Sequence, residues 1–216
     1  MKQGKYSQRF EHNVFITEAA SVAGKKEGEG PLGKLFDYVE EDSKFGEDNW
    51  EAAESQMQKQ AAEMAIQKAG ISRGQIQYLL GGDLLGQTIA TSFGVMDLDL
   101  PVFGLYGACS TMGESLALGS MLMNGGAGEY FLCVTSSHFA TAEKQFRFPL
   151  EYGNQRPKSS TWTVTGAAAV LLGKEHGRVK VRGVTPGKIV DFGVRDSMNM
   201  GAAMAPANGI IGLCSG

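Results

Sequence analysis

Apolar and polar residues follow one another in blocks that predict strands separated by helices. The stretch "VFITEAASVAG" (14–24) begins as a strand, and "IQYLLGGD" (76–83) is a second apolar strand that stops at a Gly-Gly pair. "PVFGLY" (101–106) predicts a third strand, since proline is tolerated at the first position of a strand. The nearly continuous apolar run of "EYFLCVTSSHF" (129–139) is typical of a strand covered on both faces.

Two helices with different patterns lie among these strands. Residues 49–70 have apolar side chains at three- and four-residue spacing, which predicts one apolar face and one solvated face. Asp48 or Asn49 can cap the start of this helix, and Gly70 can close its end. Residues 110–124 are apolar around the whole helix axis, which predicts a helix buried on all sides. A shorter helix is expected near 87–95.

The last third of the sequence predicts a polar loop followed by two strands. The loop spans 140–160, and the strands span 161–175 and 178–193, joined by a turn at His176-Gly177. The order of elements indicates an α/β fold with layers of helix, sheet and helix, in which the sheet is mostly parallel.

Composition excludes several classes of protein. The chain has 216 residues and a net charge of −3, which gives no reason to expect a nucleic-acid partner. No stretch is long and apolar enough for a membrane span, and the polar start is unlike a secretory signal. Three cysteines (109, 133 and 214) form no CxxC pair, which favours a reducing compartment over a disulfide scaffold. We predict neither a metal site nor a cofactor.

Cys109 lies between a predicted core strand and the predicted buried helix. The positive end of a helix stabilises a thiolate and can also bind the carboxylate or oxyanion of a ligand. Ser110 and Thr111 add hydroxyl groups at the same turn. The alternative is that Cys109 is only a small apolar residue in a crowded turn.

Asp83 and His138 each follow a predicted strand and are expected at the same carboxyl edge of the sheet. Ligands bind at this edge in open α/β folds. Asp83 either lines a pocket or caps the next helix with its carboxylate. His138 could transfer a proton or donate a hydrogen bond to a ligand. The alternative, which we favour, is a buried histidine whose hydrogen bonds are satisfied within the protein.

Several long motifs resemble known families. "GLYGACSTMGESLALGSML" is similar to the nucleophile turn of the thiolase superfamily, which includes the ketoacyl synthases, and "TVTGAAAVLL" is similar to the strand that closes its first half. The resemblance is closer to the stage V sporulation protein AD family, over about 10–207. The motifs that carry it are "FEHNVFI", "KEGEGPLGKLFD", "GGDLLGQ", "FGLYGACSTMGESLALG", "VTSSHFATAEKQFRFPLEYGNQRP", "SSTWTVTGAAAVLL" and "NMGAAMAPA".

The resemblance implies a particular domain organisation. We expect residues 1–207 to form the N-terminal half of a thiolase-like fold and 208–216 to be an anomalous tail of a truncated chain. The superfamily's enzymes take a catalytic His, and a second His or Asn, from a second half that these residues do not include. The resemblance therefore favours binding without turnover.

The resemblance also implies a ligand. The family belongs to the spore channel system that moves dipicolinic acid (pyridine-2,6-dicarboxylate) into the developing spore. The resemblance implies that Asp83 and Cys109 line the ligand pocket, and their positions in the sequence add Ser110 and His138. Arg147 is expected to meet a carboxylate, because a guanidinium matches its geometry and the flanking phenylalanines would restrict the side chain.

This reading places the protein in the cytoplasm or forespore, peripherally at the inner spore membrane. Its expected partners are other channel proteins, and a homodimer is compatible with it. The alternatives are an acyltransferase or ketoacyl-synthase-like enzyme with Cys109 as nucleophile, and a non-catalytic docking subunit of the channel.

Overall fold

A central mixed sheet with helices on both faces organises the chain. The computed structural model describes residues 2–84, 86–146 and 163–188. Its strands are β1 (Lys2–Gln3), β2 (Ser7–Arg9), β3 (Phe15–Gly24), β4 (Tyr38–Glu40), β5 (Tyr78–Asp83), β6 (Val102–Gly104), β7 (Tyr130–Ser137), β8 (Gly166–Gly173), β9 (Val179–Lys180) and β10 (Gly183–Val184). Its α-helices are α1 (Lys25–Gly28), α2 (Trp50–Ala69), α3 (Ile89–Val95), α4 (Thr111–Asn124) and α5 (Phe139–Phe146).

The order of the strands confirms a mostly parallel sheet. The large sheet has the order β4-β3-β8-β7-β5-β6, with β9 also paired to β3, and a small sheet joins β1, β2 and β10. Strand β8 is antiparallel to both β3 and β7, so these two neighbours run the same way. Strands β4, β5 and β6 share that direction through parallel ladders. The carboxyl ends of β3, β5 and β7 therefore lie along one edge, next to the start of β8.

Helix α2 begins and ends where the residue types predict. The Asn49 side chain accepts a hydrogen bond from the Ala52 backbone N–H at 2.8 Å, which satisfies one donor of the first turn. Gly70 ends the helix in a left-handed conformation with φ of 67°, which glycine adopts without the steric cost of a Cβ atom.

Helices α2 and α4 cover opposite faces of the sheet. Neighbouring strand residues alternate between the two sides, so Leu79 packs with α2 and Leu80 packs with α4. The core on the α2 face includes Val22, Ala53, Met57, Ala61, Ala65, Leu132, Val134 and Leu171. The core on the α4 face includes Val14, Leu105, Met123, Phe131, Cys133 and Leu172. This arrangement confirms the predicted layers of helix, sheet and helix.

Two expectations for the neighbourhood of Cys109 need correction. Strand β6 is not a core strand: it lies at the end of the strand order and all three of its residues are exposed. Helix α4 follows the cysteine turn as predicted, but within the described residues it is buried along one face only. Gly113, Glu114 and Leu118 on its outer side are exposed.

The segment after β7 also differs from the prediction. Residues 139–146 form helix α5 where a loop was expected, and the predicted strand over 178–193 is reduced to the short strands β9 and β10. Arg147, the domain boundary at residue 207 and the predicted tail at 208–216 lie outside the described residues.

Candidate functional site

The cysteine turn holds Cys109 at the surface, at the start of helix α4. Residues Ala108–Ser110 form a 3-10 turn between β6 and α4. Ala108 has φ of 45°, a left-handed conformation that costs a residue with a Cβ atom about 1 kcal/mol or more. The Cys109 side chain is exposed. The turn therefore presents the thiol to solvent instead of burying it as filler.

The start of α4 has no side-chain cap. The Ser110 hydroxyl donates to the Gly107 carbonyl oxygen at 2.8 Å, and the Thr111 hydroxyl donates to the Ala108 carbonyl oxygen at 2.8 Å. Both hydroxyl groups thus stabilise the turn itself. Glu114 lies in the first turn of this 14-residue helix, so its carboxylate offsets part of the positive end of the helix dipole near Cys109.

A cavity of about 310 Å³ lies beside Cys109 at the carboxyl edge of the sheet. This volume is at the lower end of the range usual for small-molecule sites. Serine and threonine residues at three strand ends line it: Ser21, Thr135, Ser136, Ser137 and Thr165. Apolar residues at the same edge also line it, among them Phe36, Leu84, Met112, Val164 and Ala168.

One charged side chain, Glu27, lines this cavity among the described residues. Its Oε1 atom accepts a hydrogen bond from the Thr165 backbone N–H at 3.0 Å, which fixes the carboxylate at the start of β8. A second cavity of about 390 Å³ lies between α2 and α3, but no predicted site residue lines it.

Asp83 is placed on the opposite face of the sheet from Cys109. It is in phase with Leu79 on β5, and it is buried on the α2 side. Its carboxylate accepts from the backbone N–H of Thr88 at 3.2 Å, and from the backbone N–H and hydroxyl of Thr91, both at 3.1 Å. Asp83 thus organises the start of α3 and is not among the cavity's lining residues. Its part in ligand binding stays a prediction.

His138 is fully buried, and the backbone engages both of its ring nitrogens. Nε2 lies 2.8 Å from the Ser43 carbonyl oxygen, and Nδ1 accepts from the Ala140 N–H at 3.1 Å. These partners imply the tautomer with the proton on Nε2. The ring also stacks on Phe139 and packs at a tilt against Trp50. The structure accounts for His138 by packing, and its role toward a ligand stays a prediction.

The predicted site residues are therefore only partly brought together. Cys109 and Ser110 are neighbours at the turn, whereas Asp83 and His138 lie behind the sheet edge, on the α2 side. Arg147 lies outside the described residues, so its predicted contact with a carboxylate is untested.

A buried polar network on the α2 face was not expected. Glu54 Oε1 accepts from the Ser136 hydroxyl at 2.9 Å, and its Oε2 accepts from the Thr141 hydroxyl at 2.6 Å. Gln58 Nε2 donates to Ser136 Oγ at 3.1 Å and to Thr91 Oγ1 at 3.2 Å. Burial raises the pKa of Glu54 to about 7. The signal in the sequence was the spacing, since Glu54 and Gln58 each stand next to an apolar core position of the helix.

The fold defines a class of protein. The chain is similar to 3-oxoacyl-(acyl carrier protein) synthase III of Xanthomonas oryzae pv. oryzae, with a TM-score of 0.52 and 19% identity over 77% of this chain and 57% of the other. The corresponding synthase III of Aquifex aeolicus VF5 gives a TM-score of 0.52 and 16% identity over 75% of this chain and 54% of the other. The chain therefore has a thiolase-like fold.

The sequence then identifies the family. A sequence model of stage V sporulation protein AD matches residues 4–211. The chain is also 43% identical, over 204 residues, to stage V sporulation protein AD of Bacillus subtilis (strain 168), which is 94% of this chain and 60% of that protein. The chain belongs to the stage V sporulation protein AD family, and it spans 60% of the length of this relative.

Two further observations concern membranes and metals. None of the described helices combines the length and the apolar character needed to cross a bilayer. In the part of the chain that the structure describes, no three His, Cys, Asp or Glu side chains are grouped so that they could hold a metal ion.

Proposed function

We propose that this sporulation protein binds dipicolinic acid in the cavity beside Cys109, for uptake into the developing spore through the spore channel system. The observation that carries the proposal is the cavity itself. It combines hydroxyl donors and an apolar wall with the start of helix α4 at one edge. A flat ring with two carboxylates needs both kinds of surface.

Each part of the ligand has a matching part of the cavity. Phe36 and Ala168 offer apolar contact to the pyridine ring. The Thr165 hydroxyl accepts from the Phe139 N–H and can donate its own proton to a carboxylate, and the helix start favours negative charge nearby. The Glu27 carboxylate opposes a dianion, so the proposal requires a cation. We assign that role to Arg147.

The remaining predicted residues act from behind the cavity in this proposal. Asp83 precedes Leu84 and His138 follows Ser137, and these two neighbours line the cavity, so the hydrogen bonds of Asp83 and His138 hold the chain at its edge. Association with other spore channel proteins at the inner spore membrane, and formation of a homodimer, belong to the same proposal.

A second candidate function is acyl transfer with Cys109 as nucleophile. It is favoured by the exposed thiol at a helix start in a fold shared with 3-oxoacyl synthases. The engagement of both His138 nitrogens by the backbone favours binding, because a general base needs a free nitrogen within reach of the proton it takes.

Calorimetric titration with dipicolinate tests the proposal and separates the two functions. Wild type and Cys109→Ala should both bind, because the thiol is not needed for binding, whereas Cys109→Trp should fill the cavity and lose binding at least about tenfold. Gln67→Trp, at an exposed position of α2, is the matched control and should bind like wild type.

Incubation with acyl-CoA followed by mass spectrometry completes the test. An adduct on Cys109 that is absent from Cys109→Ala would support acyl transfer. Dipicolinate binding that survives Cys109→Trp would show that the ligand site lies elsewhere.

A further inference from the structure

We propose that a basic patch on the small sheet β1-β2-β10 is the surface through which this protein lies on an anionic phospholipid bilayer. The patch consists of Lys2, Lys5, Arg9, Lys180 and Arg182 with the side chains between them. This inference rests on the membrane location given in the proposed function. It names the surface that meets the membrane and the lipid chemistry that this surface selects.

Positive charge is concentrated in two short segments of the sequence. Residues 2–10 and 177–188 together contain seven of the 20 Lys and Arg residues and none of the 23 Asp and Glu residues. The remaining residues therefore carry a net negative charge, although the whole chain has a net charge of only −3. A surface lined by one sign of charge attracts a partner of the opposite sign.

Strand pairing brings the two segments together. In the small sheet, Lys2 on β1 lies opposite Gln8 on β2. The Arg182 carbonyl oxygen accepts from the Phe10 N–H at 2.9 Å, just beyond the end of β2. Lys180, two residues earlier, lies on β9, which pairs with the start of β3. Because neighbouring strands are about 5 Å apart, these cations share one end of the molecule.

The cations of the patch differ from those elsewhere in their partners. Lys2 and Arg182 are exposed and form no ion pair within the residues that the structure describes. At the border of the patch, Arg178 Nη2 lies 3.6 Å from Glu18 Oε2. Farther away, Lys59 Nζ lies 2.6 Å from a carboxylate oxygen. The charge of Lys2 and Arg182 is therefore left for a partner outside the described residues.

A cavity of about 210 Å³ lies within the patch. Its described lining includes three cations, Lys2, Lys5 and Arg9, and no acidic residue. Asn124, at the end of α4, also lines it, and its Oδ1 accepts from the backbone N–H groups of residues 11 and 12, both at 3.0 Å. This leaves the amide N–H groups of Asn124 as donors. Ammonium, guanidinium and amide donors around one cavity match the oxygens of a phosphodiester group.

An anionic bilayer fits this surface better than a nucleic acid does. Each Lys or Arg beside an anionic bilayer strengthens binding about fivefold. Two exposed side chains with apolar surface lie among the cations, since Tyr6 is 61% exposed and Val179 is 55% exposed. Tyrosine is favoured at the level of the lipid headgroups. The phosphate backbone of a duplex offers no comparable apolar surface to Val179.

The position of the patch sets the orientation of the protein on the membrane. Strand β3 runs from Phe15, which lies opposite Lys180, to Gly24. Ala23, near the other end of the strand, lines the cavity beside Cys109. The 10 residues of β3 span about 33 Å. The cavity beside Cys109 therefore faces away from the bilayer and stays open to water when the patch is bound.

Sedimentation with lipid vesicles tests the inference. The full 216-residue chain should bind vesicles of equal parts phosphatidylglycerol and phosphatidylcholine. It should bind vesicles of phosphatidylcholine alone at least about tenfold more weakly. The triple variant Lys2→Gln/Lys5→Gln/Arg182→Gln should lower the partition coefficient for the anionic vesicles about a hundredfold, because three factors of about five are lost.

A matched variant separates the position of the charges from their number. Lys25→Gln/Lys26→Gln/Lys34→Gln removes three positive charges near the opposite end of β3 and should bind the anionic vesicles within about threefold of wild type. Thermal melting verifies that both triple variants are folded. Equal losses in the two triple variants would show that binding follows net charge alone and would overturn the inference. Equal binding of wild type to the two kinds of vesicle would overturn it as well.

Two soluble anions distinguish the bilayer from other partners. Inorganic phosphate, with the ionic strength held constant by chloride, should leave vesicle binding unchanged, because several cations contact the bilayer at once. Displacement by millimolar phosphate would indicate a site for a free anion and would contradict the bilayer. Tighter binding to a duplex DNA fragment than to the anionic vesicles would contradict it in favour of a nucleic acid.

Further measurements separate this inference from the proposed ligand. Calorimetry with dipicolinate should give the same affinity for wild type and the Lys2/Lys5/Arg182 variant, because the patch and the cavity beside Cys109 lie at opposite ends of β3. Iodoacetamide should alkylate Cys109 equally fast on vesicles and in solution, and a slower rate on vesicles would contradict the orientation. Dipicolinate binding without vesicle binding contradicts only the basic patch. Vesicle binding without dipicolinate binding supports the patch and contradicts the proposed ligand.

Discussion

The two faces of the sheet differ in how completely their helices are capped and buried. On one face, α2 is capped at both ends and its core residues Ala53, Met57 and Ala61 are fully buried. On the other face, α4 starts without a side-chain cap and leaves Leu118 37% exposed. The closed α2 face stabilises the fold, and the start of α4 leaves backbone dipoles and a thiol at an open edge.

The polar groups of the two faces differ in the same way. The α2 face contains the buried network of Glu54, Gln58 and Asp83, and the α4 face contains the buried thiol of Cys133 within an apolar core. Ser136 lies on the α2 side of β7, where its hydroxyl joins Glu54 to Gln58 in this network.

Cys109 and Cys133 should show the largest difference. Cys109 is exposed, whereas burial raises the pKa of the Cys133 thiol to about 12. Iodoacetamide should modify Cys109 about a hundredfold faster or more, because each 1.4 kcal/mol needed to open the core slows the reaction of Cys133 about tenfold. Mass spectrometry of quenched samples gives both rates. Equal rates in the folded chain would contradict the contrast between the faces.

Truncating one side chain on each helix compares the two faces energetically. Met57→Ala should lower the free energy of unfolding by about 2–5 kcal/mol, since Met57 is fully buried. Leu118→Ala should cost less than about 1 kcal/mol, because the side chain already contacts water. Urea denaturation measures both, with Gln67→Ala at an exposed position as control. A larger loss for Leu118→Ala would show that α4 is covered in solution.

The pH dependence of stability should depend on Glu54. The pKa of this carboxyl is raised from 4.5 to about 7 in the folded chain, so the folded state holds its proton over a range where the unfolded state has lost it. The stability contributed by protonated Glu54 is therefore present below pH 4.5 and lost as the pH rises through 7.

Replacing Glu54 should remove that loss. Between pH 5 and pH 8, wild type should lose about 1–3 kcal/mol relative to Glu54→Gln, at about 1.4 kcal/mol per pKa unit. Urea denaturation at a series of pH values gives the difference, and Glu63→Gln is the control on the same helix. Parallel curves for wild type and Glu54→Gln would show that Glu54 titrates normally.

The helix starts should show the smallest difference. Asn49→Ala removes the cap of α2 and should cost about 1 kcal/mol. Ser110→Ala removes no cap and should change the free energy of unfolding by less than about 0.5 kcal/mol. Thermal and urea denaturation compare the two variants. An equal cost would mean that Ser110 stabilises α4 as Asn49 stabilises α2.

Local signals explain which parts of the fold could be predicted. Asn49 and Gly70 mark the ends of α2 by residue type alone, and the apolar runs locate β3, β5 and β7. The edge position of β6 could not be predicted, because "PVFGLY" has the same apolar character in an edge strand as in a core strand. Helix α5 was missed because charged residues in 140–160 indicate a loop as readily as a solvated helix.

For the candidate site too, the position of a residue along its helix or strand could be predicted, but its place in the tertiary structure could not. Residue types placed Cys109 at the start of a helix and Asp83 at the end of a strand. The face on which each lies depends on the phase of its strand and on the helix packed there, which only the tertiary structure fixes. Glu54 and Gln58 were not singled out, because polar residues of a helix usually lie on its solvated face, although their spacing matches the buried stripe.

Protection of Cys109 by dipicolinate tests the proposed site most directly. The rate of Cys109 alkylation by iodoacetamide is measured as dipicolinate is added, with benzoate at equal ionic strength as the control. If the ligand occupies the cavity beside the thiol, the rate should fall saturably, at the concentrations at which calorimetry detects binding. An unchanged rate at concentrations that saturate binding would show that dipicolinate binds elsewhere and would contradict the proposed site.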